Sequence, residues 1–164
     1  MLRDKNLIPL SHQHQHALAL CVRIDRAEPI PGKDLQSWQA EIEEHFEHEI
    51  KVHFAAEENE VFSIARRFPE LTHLVEELLA DHVSLREWFS QAEARRLPAQ
   101  NLPVFARVLS THIRKEERQL FERLQELLTP RELEALGKRL ETALAQAQQV
   151  CVLPSEITKL RAKR

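Results

Sequence analysis

The chain has 164 residues, a formal net charge of −3, 43% apolar residues and 30% charged residues. That describes one soluble globular domain able to bury a sizeable core, with no general electrostatic reason to seek nucleic acid or an anionic membrane. Two glycines, no tyrosine and two cysteines without CxxC spacing exclude a disulfide framework and thiolate metal knuckles, and point to an all-α chain in a reducing, cytoplasmic setting.

Helix 1 is expected from Pro9–Ser11 to about Arg26, ended by Pro29 and Pro31-Gly32. Its apolar stripe is Leu10, His14, Ala17, Leu18, Cys21 and Ile24. His14 therefore points inward, His12 lies on a wetter face, and His16 sits at the margin beside Leu20. Helix 2 begins after Asp34, a good N-cap, and continues to about Arg67 before Pro69. Its inward stripe is Ile42, Phe46, Ile50, His53, Glu57, Val61 and Ile64, with His45 and His48 on the flanks. Helix 3 runs from about Leu71 to Ala94, and His82 replaces an aliphatic residue within the run Leu71, Val75, Leu78, Leu85, Phe89. Helix 4 runs from Asn101 or Pro103 to Leu128, with His112 and Glu116 on the same face as Phe105, Leu109, Leu120 and Leu124. Thr129-Pro130-Arg131-Glu132 reads as a capping box that starts a fifth helix over 129–149, with Leu133, Leu136, Leu140 and Leu144 on one face. The domain therefore spans 1–150, its bundle core 8–128, and 151–164 is a tail with a solvated basic end. No apolar run approaches the ~18 residues of a membrane span, and the first ten residues lack the apolar stretch of a secretory leader.

Four long helices with short connections predict an up-down-up-down bundle with an additional C-terminal helix. One stretch occurs twice: His53-Phe-Ala-Ala-Glu57-Glu58-Asn-Glu-Val61-Phe62 and His112-Ile-Arg-Lys-Glu116-Glu117-Arg-Gln-Leu120-Phe121. Residues four apart share a helix face, about 6 Å apart along the axis, so each copy aims an imidazole and a carboxylate at one point. A lone histidine in an apolar stripe is ordinarily a satisfied core residue. Four in register, two with a glutamate one turn on, are a ligand set, because a buried carboxylate is costly unless paired or ligating. The expected metal ligands are His14, His53, Glu57, His82, His112 and Glu116, with His16 as a possible additional ligand. Two histidines per metal and two bridging glutamates leave positions for water, oxo or a small ligand. This donor set suits non-haem iron, with manganese or zinc as alternatives. Ferritin-like di-iron bundles use Glu-x-x-His instead, which occurs here only at Glu70-x-x-His73, outside the stripes. Glu58 and Glu117 are expected to be helix-surface charges. Cys21, Trp38, Trp88, Phe62 and Phe121 are expected to pack the core.

Over roughly residues 8–128 these motifs resemble the hemerythrin-like HHE cation-binding proteins. Asp81-His82-Val-Ser-Leu85 is similar to that family's Asp-His-x-x-Leu element. His53-x-x-x-Glu57 and His112-x-x-x-Glu116 are similar to its paired motifs, and Leu10 to Leu18 resembles its first element, with His14 at the ligand position. The resemblance implies two iron ions, oxo- or hydroxo-bridged, with bridging glutamates and a labile position for dioxygen or a related small molecule. Oxygen-carrying hemerythrins have a fifth histidine and an aspartate bridge, where this chain has Glu116. The expected function is binding or sensing of dioxygen or nitric oxide, or handling of iron. The alternatives are a di-iron enzyme reducing peroxide or nitric oxide, and a metal-stabilised interaction module with helix 5 as the homodimer or partner surface.

Overall fold

A computed structural model describes residues 2–151, with side chains through residue 145. Five helices account for the architecture: α1 (Ile8–Arg26), α2 (residues 35–65), α3 (Thr72–Glu93), α4 (residues 102–127) and α5 (Pro130–Cys151). Short 3₁₀ turns at Gly32–Asp34, Pro69–Leu71 and Ala99–Asn101 lead into α2, α3 and α4. α1 packs along α4 and α2 along α3, so the first four helices form the expected bundle. There is no strand among the described residues, and no described helix is long and apolar enough to cross a membrane. The tail beyond residue 151 lies outside the described residues.

The apolar stripes of the four helices bury two separate clusters rather than one continuous core. One contains Leu10, Val61, Phe62, Leu78, Leu120 and Phe121. The other contains Ala17, Ile50, Phe54, Leu85, Leu109 and Ile113. Each stripe passes from one cluster to the other through its histidine: Leu10 to Ala17 across His14, Leu78 to Leu85 across His82. A single polar layer thus separates the two halves of the core. Cys21 is a buried free thiol in the second cluster, its pKa pushed up to about 12 by burial, which fits the core role expected of it. Phe62 and Phe121 are likewise fully buried, and Trp38 and Trp88 pack partly buried against the second cluster.

Three features depart from the sequence reading. α2 and α4 are not regular: π-helical turns occur at Phe46–Ile50, Glu57–Val61 and Glu116–Leu120. Two of the three begin at the inward glutamates, in keeping with the concentration of π-bulges at functional sites. Second, the apolar face of α5 is turned into the bundle. Leu133, Leu136 and Leu140 are buried in the first cluster, and α5 lies against residues 51–61 of α2, tied by Arg139 to Glu60 at 2.6 Å and by Glu132 to Arg67 at 2.8 Å. Its expected capping box is present, with Thr129 N–H and Oγ1 both donating to Glu132. Third, the residues before α1 are part of the packed structure. Leu7 is buried, and Asn6 lies so close to Gly137 of α5 that a Cβ there would meet Asn6 Oδ1 at 2.5 Å. Only glycine fits that mid-helix position, at the expense of helix propensity.

Candidate metal centre

The six residues read as ligands from their inward spacing meet at one place. His14 (α1), His53 and Glu57 (α2), His82 (α3), and His112 and Glu116 (α4) are all buried. They form two groups, His14–His53–Glu57–Glu116 and Glu57–His82–His112–Glu116, with one ligand atom from each member within 4.8 Å of the others. The two glutamates belong to both groups. Nε2 of His14 faces Nε2 of His53 at 2.9 Å, and Nε2 of His82 faces Nε2 of His112 at 3.1 Å. The carboxylate oxygens sit 3.2 Å from the nearest Nε2 atoms, Glu57 beside His53 and Glu116 beside His14 and His112.

Whether these groups suit a cation is decided by their unmet bonding. Glu57 and Glu116 are 0% exposed, and all four of their carboxylate oxygens lack a hydrogen-bond donor. Desolvating an anionic carboxylate costs several kcal/mol unless it is compensated. Meanwhile every imidazole is held from behind through Nδ1: His14 by Glu117 at 2.7 Å, His53 by the Gln13 amide oxygen at 2.8 Å, His82 by Glu58 at 2.8 Å and His112 by Asp81 at 3.4 Å. An acceptor at Nδ1 keeps the proton there and leaves the Nε2 lone pair facing inward, the arrangement found behind metal-ligating histidines. Four convergent Nε2 atoms and four buried carboxylate oxygens around one point form an electrostatic environment suited to a cation. Metal ions fit it, and no thiolate of the described residues takes part.

Without cations, protons partly take their place. Burial pushes His14 down, but the carboxylates of Glu116, Glu117 and Glu57 outweigh it and hold its pKa well above the usual imidazole value. His82 is raised in the same way, burial being overcome chiefly by Glu57. Burial pushes Glu57 up, yet the His53 charge and the His14, His53 and His82 imidazoles hold it well below the usual carboxylate range. Glu117 is lowered to about 2, burial being outweighed by its bond with His14 and by the charges of His14 and Arg3.

His16 stands apart. Its side chain is 65% exposed and its Nδ1 pairs with Glu49 at 2.9 Å, away from both groups. Glu58 and Glu117 correct the sequence reading. They are not bare surface charges, since each reaches across to buttress a histidine of another helix. Gln13 and Asp81, neither of them singled out beforehand as a site residue, do the same. The sequence signals for them were position, each immediately preceding an inward histidine, and for Asp81 its place in the Asp81-His82-Val-Ser-Leu85 element.

A helical bundle whose facing helices present two overlapping His₂Glu₂ groups has the donor set of a cation-binding domain. The model of the hemerythrin HHE cation-binding domain matches residues 9–124, and the chain belongs to that family. No curated protein and no solved structure matches the chain.

Proposed function

We propose that this chain holds two iron ions between Glu57 and Glu116, one with His14 and His53 and one with His82 and His112, and that it binds or senses dioxygen or nitric oxide, or handles iron itself. The observation that carries the reading is the set of four buried carboxylate oxygens without donors, aimed where four Nε2 atoms converge. Paired iron ions supply redox change and affinity for small diatomic ligands when bound.

The chain's own residues would orient and shield such ions. Phe54 stacks on His82 with centroids 3.8 Å apart, and Phe121 stacks on His14 at 5.6 Å, limiting water around the imidazoles. A small cavity between α1, α2 and α4 touches His14, His53 and His112 and is otherwise lined mainly by Ala17, Ile50, Phe54, Leu109 and Ile113. Its scale and apolar walls favour a neutral diatomic over a larger or charged substrate.

The test is spectroscopic. The protein is loaded with iron, reduced without oxygen, and exposed to dioxygen or nitric oxide. The reading expects a stable spectral change that reverses when the gas is removed. Continuous turnover of nitric oxide or peroxide would replace it with the enzymatic alternative, and absence of any response would refute both.

A further inference from the structure

The contacts behind the four histidines follow a twofold pattern. In each paired motif the second glutamate supports the single histidine of the other hairpin, Glu58 at His82 and Glu117 at His14. The residue just before each single histidine supports the histidine of the paired motif, Gln13 at His53 and Asp81 at His112. Three of these four supports are carboxylates, and each is itself paired with a cation: Glu117 with Arg3 at 2.6 Å, Glu58 with Arg86 at 2.8 Å, and Asp81 with Lys115 at 2.9 Å. The fourth, Gln13, is a neutral amide. The symmetry of the site is broken at that one residue.

The break has a chemical consequence. A carboxylate can only accept, so it fixes the proton on Nδ1, and its charge raises the basicity of the Nε2 lone pair. An amide carries no charge, and it offers a donor as well as an acceptor. With its oxygen toward Nδ1, His53 presents Nε2 as a ligand; with its NH₂ turned toward Nδ1, the imidazole proton moves to Nε2 and the ligand is lost. His53 is therefore the one histidine of the four whose ligating form is not enforced.

Building on the dinuclear reading, we propose that Gln13 is a positioning residue that makes the two cation positions unequal. The ion held by His82 and His112, backed by Glu58 and Asp81, is taken up first and kept. The ion held by His14 and His53 is exchangeable. The shorter Gln13 contact, 2.8 Å against 3.4 Å for Asp81, does not reverse this order, because charge and tautomer locking separate the two positions rather than distance.

The test uses the full chain loaded with iron(II) under nitrogen, with a chelator in excess and release followed by chelate absorbance. The wild-type protein should release iron in two phases of equal amplitude, with rates at least tenfold apart, the scale of an outer-shell change. Gln13→Glu should slow the fast phase toward the slow one. Asp81→Asn, the mirror change, should speed the slow phase. His53→Ala should remove only the fast-released ion, and circular dichroism confirms that each variant is folded. A single phase in the wild type, or a fast phase unchanged in Gln13→Glu, overturns the inference while leaving two-ion binding intact. A chain that takes up no iron overturns the dinuclear reading as well.

Discussion

Replacing Glu57 and Glu116 together by leucine should make the metal-free protein more stable and the metal-exposed protein less so. Both side chains are fully buried, and their four oxygens have no donor. Leucine has similar volume, and exchanging buried charge for packed hydrocarbon is typically neutral or stabilising by up to ~4 kcal/mol. The change also removes two of the carboxylates that raise His14 and His82, so both imidazoles lose their protons more easily. In the wild type, each ion present at 100 times its Kd adds about 2.7 kcal/mol, so two add about 5. Urea unfolding followed by circular dichroism, in chelator and in excess iron(II), reads both arms. At roughly 2–4 °C per kcal/mol for a domain of this size, thermal midpoints should cross by several degrees between the two conditions. A variant that loses more than about 2 kcal/mol in chelator would refute the reasoning. It would mean that the glutamates hold the metal-free fold together as ion-pair partners instead of being reserved for cations.

Metal uptake should release protons. His14 and His82 are raised in the metal-free state, so their stabilising protons are fully present below the ordinary imidazole pKa and are lost as pH rises through the raised values. Metal must displace them at neutral pH, and apparent affinity should climb with pH from about 6 upward; calorimetry in buffers of different ionisation enthalpy measures this, and a pH-independent affinity contradicts it. Gly137→Ala should destabilise by about 1–2 kcal/mol in urea, because a Cβ lies 2.8 Å from Asn6 Cβ and the clash exceeds the ~1 kcal/mol gained in helix propensity. Restoration by Asn6→Gly would assign that loss to the clash, and an unchanged midpoint in Gly137→Ala alone would refute it. Thr129→Ala should cost about 1 kcal/mol by opening the α5 capping box, and equal stability of the variant would show that α5 is held by its leucines alone.

Much of the candidate centre was legible because burial leaves a periodic mark. His14, His53, His82 and His112 each occupy a place where the stripe calls for an aliphatic residue, and the structure buries all four. The same periodicity separated His14 from the exposed His12 and His16. The supporting residues escaped because their partners are on other helices. Glu58 and Glu117 lie off the inward stripe, and a one-helix projection can only label such residues as solvated. The π turns that begin at Glu57 and Glu116 were equally invisible, since they change the register after the glutamate without disturbing the apolar count. The packing of the α5 leucines into the bundle was not legible, because an apolar face predicts burial and not whether its partner is another chain or the bundle beside it.

Iron content per chain tests the central claim most directly. Full-length protein purified in air and analysed by elemental mass spectrometry should carry roughly two irons per chain, the number that two overlapping His₂Glu₂ groups accommodate. Glu116→Ala should lose both, because that carboxylate belongs to each group. A wild-type chain without iron, or with a single zinc, would contradict the account, as would an unchanged iron content in Glu116→Ala.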